Sequence, residues 1–158
     1  ERTGEGAVEI DLEGFNLTGS PEDVEKSARS SFGLGVTYLK RGNREKAEDI
    51  FRRLAEVKAE FAPEHKHMFN DFGRSLRKQS LLDLAVMHYL RALDLAGNDE
   101  NLHHNIARVY YEKQDLASAI KALEMSLAIN PDLVESRKFL RFIQRNRGKK
   151  PGGLVVDI

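Results

Sequence analysis

The amino-acid sequence predicts an all-α fold in which three stacked helix pairs are closed by a terminal helix. Two observations lead to this prediction. Small and apolar residues recur at shared offsets in three consecutive blocks, and each block contains two amphipathic stretches separated by a polar turn. A repeated helix pair cannot bury its apolar face alone, so this pattern favours a stacked array with one continuous core.

The repeat is clearest around a small residue in the first helix of each block. In the first block, Gly35 is followed by Tyr38 and then by Ala47. The other two blocks carry, at the same offsets, Gly73, Leu76 and Ala85, and then Ala107, Tyr110 and Ala119. Blocks two and three are 34 residues apart, whereas blocks one and two are 38 apart. Because four residues make about one helical turn, we expect the second helix of block one to be longer by a turn near residues 59–63.

The apolar periodicity and the polar turns divide the chain into seven helices. The start of the first is the best marked, because Ser20 can cap it and Pro21 suits its first position. The predicted helices span residues 21–41, 44–61, 65–78, 81–96, 100–113, 116–129 and 132–146. We expect an extended acidic N-terminal arm over residues 1–20, one helical domain over 21–147 and a C-terminal tail over 148–158.

Composition excludes several classes of function. Basic and acidic residues number 25 each among 158, so no net field draws the chain onto nucleic acid or an anionic membrane. The absence of cysteine excludes thiolate catalysis and cysteine-ligated zinc. No apolar run approaches the roughly 18 residues that span a bilayer. We therefore expect a cytoplasmic protein without a membrane span or a nucleic-acid partner, although a chain that begins at Glu1 can be a trimmed part of a longer one.

The sequence offers no catalytic or metal-binding constellation. It has no phosphate-binding loop, nucleophile elbow or His-Glu-x-x-His motif. The spacing of His65 with His67, and of His103 with His104, does not put both rings of a pair on one helix face. We therefore expect neither enzyme activity nor a cofactor nor a metal, and we expect His103 to pack between helices.

The three blocks resemble the tetratricopeptide repeat over about residues 28–147. The resemblance rests on Gly35, Gly73 and Ala107, which stand where the two helices of a block must approach closely, and on the alanines opposite them. It implies a right-handed α-solenoid of three tetratricopeptide helix hairpins with a C-terminal capping helix. The repeats would span about residues 28–64, 66–98 and 100–132, and the capping helix 132–146. The family's turn glycine survives only as Gly42, since Ser80 and Gln114 replace it later.

The resemblance also implies a binding surface, because the first helices of successive repeats in this family line a concave groove for a peptide or a partner helix. Carried over by position, the groove residues are Phe32, Val36, Leu39, Asn70, Arg74, Arg77, Asn105, Arg108, Tyr111 and Phe142. An asparagine can bond both polar groups of an extended backbone, and an arginine can hold a carboxylate through two hydrogen bonds. We therefore expect a protein or peptide partner that carries acidic residues.

One specific activity of the family is not expected. Tetratricopeptide co-chaperones that bind the acidic C-terminal tail of the large heat-shock chaperones use a clamp of lysine, arginine and asparagine side chains. The matching positions here are Phe32, Val36, Asp71, Asn101 and Asn105. Four of these five differ in kind from the clamp, and Asp71 has the wrong charge.

The two ends of the chain differ in charge. The stretch 137–150 contains seven basic residues and no acid, whereas the arm before Ser20 has five acids against Arg2 alone. This difference could steer head-to-tail association or dock an acidic partner, and a solvated cap and tail would explain it equally. The end segments 6–11 and 153–158 also resemble each other, so they could pair as a ribbon, lie in a groove or be remnants of a longer chain.

Three functional hypotheses remain after these exclusions. The leading one is an adaptor that binds an extended, partly acidic peptide in the concave groove. The second is a bacterial secretion or assembly chaperone that holds an apolar client segment against Phe32, Val36 and Leu39. The third is a self-assembling structural scaffold, a homo-oligomer driven by the charged ends.

Overall fold

The computed structural model describes residues 17–147, which form seven α-helices packed in chain order. Their bounds are α1 Pro21–Lys40, α2 Arg44–Glu56, α3 Lys66–Lys78, α4 Leu82–Ala96, α5 Glu100–Glu112, α6 Leu116–Ile129 and α7 Val134–Arg145. A 3₁₀ turn, Pro63–His65, precedes α3. No strand occurs in this part of the chain, so the all-α prediction is confirmed. The expectations for the arm before residue 17 and the tail after residue 147 lie outside the described residues.

Consecutive helices pack as hairpins, α1 on α2, α3 on α4 and α5 on α6, and α7 packs on α6. The glycines of the first helices lie directly against aromatic rings of the second helices. A Cβ atom at Gly35 would lie 2.5 Å from Cε1 of Phe51, and one at Gly73 would lie 2.6 Å from Cε1 of Tyr89. Both rings are fully buried. The small residues therefore permit the close approach of the two helices that the sequence predicts.

The turn inside each hairpin has the same backbone geometry in all three repeats. Gly42, Ser80 and Gln114 all have positive φ, of 82°, 62° and 65°. One residue later, a backbone N–H donates to a carbonyl five residues back at 2.9 Å in every case, Asn43 to Tyr38, Leu81 to Leu76 and Asp115 to Tyr110. Ser80 and Gln114 thus take a left-handed conformation that costs a residue with a Cβ atom about 1 kcal/mol.

The first helix begins as predicted. The backbone N–H of Asp23 donates to Oγ of Ser20 at 3.1 Å, and the N–H of Ser20 donates to Oδ2 of Asp23 at 3.2 Å. This reciprocal capping box, with Pro21 in the first turn, satisfies donors that the helix itself leaves unpaired.

The four extra residues of block one do not lengthen α2 by a turn, so that prediction is wrong. The helix ends at Glu56, and Val57 has extended backbone angles, with φ −59° and ψ 137°. Arg91 of α4 donates hydrogen bonds of 2.7 Å to the carbonyl oxygens of Ala55 and Val57. Its guanidinium also lies 4.9 Å from the ring centroid of Phe61. Because Arg91 takes these carbonyls and Pro63 disfavours a helical residue before it, the segment 57–62 forms an extended connection instead.

The terminal helix is attached through a buried polar network as well as apolar contacts. Oγ of Ser136 in α7 lies 2.9 Å from Nδ1 of His104 and 2.9 Å from Oγ of Ser126. Ser126 in turn donates to the carbonyl of Glu100 at 2.9 Å. Because all three side chains are buried, this network fixes how α7 sits on the third repeat.

None of the helices within residues 17–147 is both long and apolar enough to cross a membrane.

Candidate partner-binding face

The first helices of the three repeats and α7 stand side by side, and their side chains meet across each boundary. Arg29 of α1 pairs with Asp71 of α3 at 3.1 Å. Asn105 of α5 donates to Asn70 of α3 at 3.0 Å. The ring centroids of Tyr111 in α5 and Phe142 in α7 are 6.1 Å apart. We call the surface formed by α1, α3, α5 and α7 the inner face, and these four helices contain the ten residues that the sequence suggests for a groove.

Phe32, placed in the groove by its position in the repeat, belongs to the core in the structure. Its side chain is only 7% exposed. Its ring stacks on Phe72 of the next repeat, with centroids 4.2 Å apart and planes 3° apart, and also contacts Phe51 at 4.8 Å. The apolar part of the inner face near α1 therefore consists of the half-buried side chains of Val36 and Leu39.

The two predicted asparagines bond to each other. Asn105 is 1% exposed, and its amide is used to bridge α5 and α3 through Asn70. Asn70 is half-buried and lines a cavity of about 200 Å³ with Lys66, His67, Asp99, Asn101 and Leu102. Asn105 is thus a structural bridge, whereas Asn70 still borders space that a partner can enter.

Two of the three predicted arginines form ion pairs within the chain, both with the same glutamate. Nη1 of Arg77 lies 3.1 Å from Oε2 of Glu112, and Nε of Arg108 lies 3.3 Å from the same oxygen. The side chains of Arg77 and Arg108 are only 9% and 17% exposed. Glu112 offsets one of these two positive charges, and the low exposure of both side chains limits their contact with a partner. The sequence signal for this was the four-residue spacing of Arg108 and Glu112, which allows a pair on one helix.

Arg74 differs from Arg77 and Arg108 because it forms no ion pair with another residue within 17–147. Its Nε atom is buried and has no hydrogen-bond partner in that part of the chain. The nearby carboxylate of Asp71 is already bound by Arg29, which also pairs with Glu25 at 2.8 Å. Arg74 borders a cavity of about 310 Å³ whose other lining residues are Asp71, Ser75, Lys78 and Gln79. Burying a donor without a partner costs about 1–3 kcal/mol, so an oxygen supplied by a ligand would be stabilising here.

At the other end of the inner face, Tyr111 is buried and Phe142 is half-buried. The ring of Tyr111 packs edge-on against Phe139 at 5.4 Å and against Phe142 at 6.1 Å. Tyr111 thus belongs to the contact between the third repeat and α7, while Phe142 leaves some apolar surface beside it.

The buried histidines have structural roles. Nε2 of His88 donates to the carbonyl of Phe51 at 2.9 Å, and burial lowers the pKa of His88 to about 4. His65 accepts from the N–H of Ala62 through Nδ1 at 2.9 Å, and its Nε2 donates to the carbonyl of Pro21 at 3.0 Å. His103 is 6% exposed, as predicted for a residue packed between helices. No group of three or more possible metal ligands is found within the described part of the chain.

Comparison with known proteins identifies the repeat. The tetratricopeptide repeat model matches residues 32–100 and 70–134. The chain is 35% identical over 71 residues to anaphase-promoting complex subunit cut9 of Schizosaccharomyces pombe, a match that covers 45% of this chain and 11% of that protein. It is 29% identical over 94 residues to the Sol locus transcriptional repressor of Clostridium acetobutylicum, covering 60% of this chain and 28% of that one. The chain thus spans only about a tenth and about a quarter of these relatives.

Solved structures of low sequence identity share the fold. The Cut9–Hcn1 hetero-tetramer of the anaphase-promoting complex matches with a TM-score of 0.51 and 24% identity, over 85% of this chain and 28% of that one. A point mutant of MamA matches with a TM-score of 0.50 and 15% identity, over 78% of this chain and 87% of that one. With the family match and the three helix hairpins, these likenesses show that the chain is an α-solenoid belonging to the tetratricopeptide repeat family.

Proposed function

We propose that this chain is a protein–protein interaction module, an adaptor that binds an extended segment of another protein on its inner face. The tetratricopeptide repeat that the chain matches is a type of protein-interaction scaffold. The observation that carries the proposal is the state of Arg74, which lines an open cavity and has neither an ion pair nor a hydrogen-bond partner for its Nε atom among residues 17–147. A partner's carboxylate would supply the missing acceptor.

The charges and apolar side chains of the inner face support a partner segment that is both acidic and apolar. Because Arg77 and Arg108 already share Glu112, the acidic contact is assigned to Arg74, with the exposed Lys78 one turn later adding positive charge. Apolar side chains of the partner would lie on Val36 and Leu39 of the neighbouring α1. The segment is therefore expected to combine at least one acidic residue with apolar residues towards the α1 side.

The similarity to a subunit of the anaphase-promoting complex, crystallised in a hetero-tetramer with Hcn1, agrees with a role in binding other proteins. The chaperone alternative is weakened, because burial of Phe32 removes one of the three apolar residues on which it depends. The scaffold alternative relies on the charged ends, most of which lie outside residues 17–147.

Affinity capture from host lysate tests the proposal, with mass spectrometry to identify the bound proteins. The wild type is compared with Arg74→Glu and with Arg52→Glu, which makes the same charge change at an exposed residue of α2, away from the inner face. We expect at least one protein to bind the wild type and Arg52→Glu but not Arg74→Glu. Arg108→Glu is a poor probe, because it would place two glutamates four residues apart on α5. Equal capture by all three proteins would contradict the proposal.

A further inference from the structure

The extended connection between α2 and α3 has the pattern of a half-buried strand. Burial alternates along it: Val57, Ala59 and Phe61 are half-buried, whereas Lys58 and Glu60 between them are exposed. The backbone is extended at both ends, with ψ 137° at Val57 and ψ 156° at Ala62. Alternation with a period of two is the property of a β-strand that packs one face on a core.

One edge of this strand-like segment is unpaired within residues 17–147. Arg91 occupies the carbonyl of Val57, but no hydrogen bond joins the backbone of Lys58, Ala59, Glu60 or Phe61 to another described residue. In an extended chain, the N–H and C=O groups of successive residues point to opposite edges, so those of Lys58 and Glu60 point away from Arg91. The segment also borders an open cavity of about 610 Å³, with Leu17 and Val24 among its other lining residues. An uncovered strand edge is a template for pairing with another chain.

The order of residues in this segment makes it complementary to itself. Read in antiparallel register about Ala59, Lys58 of one copy stands opposite Glu60 of a second copy, and Glu60 stands opposite Lys58. Val57 and Phe61 face each other on the apolar side. Opposite charges directly across two antiparallel strands are stabilising, and like charges there are destabilising.

We propose that residues 57–61 form an interaction edge through which two copies of this chain pair as a two-fold symmetric dimer. The axis passes beside Ala59, perpendicular to the two-stranded ribbon, and Lys58 and Glu60 exchange four backbone hydrogen bonds across it. Both domains then lie on the same side of the ribbon. Because only residues 57–61 of each copy form the interface, the dimer belongs to the weak, concentration-dependent class. The inference is independent of the partner proposed for the inner face.

A charge-swap experiment tests this dimer by sedimentation velocity over a range of protein concentrations. Lys58→Glu places two carboxylates opposite each other at both cross-strand positions, and Glu60→Lys places two ammonium groups there. The dimer dissociation constant of each single variant should therefore be at least about tenfold higher than that of the wild type. The double variant restores opposite charges and should dimerise like the wild type. An equimolar mixture of the two single variants should form heterodimers.

Because both side chains are exposed, the variants should keep the wild-type circular dichroism spectrum, which separates lost pairing from lost folding. Residue-resolved hydrogen exchange adds a second readout, since the amides of Lys58 and Glu60 should gain protection with protein concentration while that of Ala59 should not. A wild type that stays monomeric at its highest soluble concentration would overturn the proposal. So would a wild-type dimer that neither single substitution weakens, or single variants whose mixture does not associate.

Discussion

Two glycines in α1 should respond in opposite ways to the same alanine substitution. A Cβ atom at Gly33 would meet nothing within 4 Å, so Gly33→Ala should show only the gain in helix propensity, about 0.8–1 kcal/mol. A Cβ atom at Gly35 would lie 2.5, 2.9 and 3.0 Å from three ring atoms of Phe51. That ring is fully buried and packs on Phe32 at 4.8 Å, so it has no free space into which to move.

Overpacking of this kind typically costs about 1–3 kcal/mol, which exceeds the propensity gain for most of that range. We therefore expect Gly35→Ala to lower the free energy of unfolding by up to about 2 kcal/mol. Because the propensity gain is common to both, the two variants should differ by the overpacking cost alone, about 1–3 kcal/mol, although the substitutions are two residues apart in one helix.

Urea unfolding followed by circular dichroism measures this difference directly, and an unchanged dependence on urea would show that both variants unfold from the same compact state. If Gly35→Ala were as stable as Gly33→Ala, the close approach of α1 and α2 would not determine the residue at position 35.

Three further predictions concern single contacts. Burial holds the pKa of His88 at about 4, against 6.5 in the unfolded chain. The free energy of unfolding should therefore be highest above pH 6.5 and fall by about 3 kcal/mol as the pH drops from 6.5 towards 4. Urea titrations at several pH values measure this loss, which His88→Gln should reduce. Arg91→Leu removes two charge-assisted bonds to the carbonyls of Ala55 and Val57 at the end of α2, and should cost about 2–3 kcal/mol and speed proteolysis of residues 57–62. Gln114→Gly should raise the free energy of unfolding by about 1 kcal/mol in the same urea titrations, because glycine adopts a φ of 65° without strain.

The sequence predicts the helix pairs because their determinants are local and repeated. The offsets of Gly35, Gly73 and Ala107 mark the sites where two helices touch, and the structure places buried rings against both glycines. The end of α2 differs from the prediction because the length of the insertion alone suggests a helical turn. Two local signals point the other way: Pro63, and the alternation of apolar and charged residues from Val57 to Phe61.

The inner face is harder to derive, because its properties depend on residues far apart in the sequence. Phe32 becomes a core residue only because Phe72 of the next repeat stacks on it. Arg77 is bound by the carboxylate of Glu112, which lies 35 positions later in the sequence, and is therefore less available to a partner. Position in the repeat indicates which residues stand on the face. Which of them remain open to a ligand depends on contacts between repeats.

The most direct test of the proposed binding face is a double-mutant cycle between Arg74 and the acidic residue of the captured partner segment. Isothermal titration would measure the wild type and Arg74→Met against the native segment and against one with its glutamate or aspartate changed to the amide, with Arg52→Met as the matched control. We predict a coupling free energy of about 1.5 kcal/mol or more for Arg74 and none for Arg52. Additive effects at Arg74 for every acidic residue of the segment would contradict the proposal that this arginine receives the partner's carboxylate.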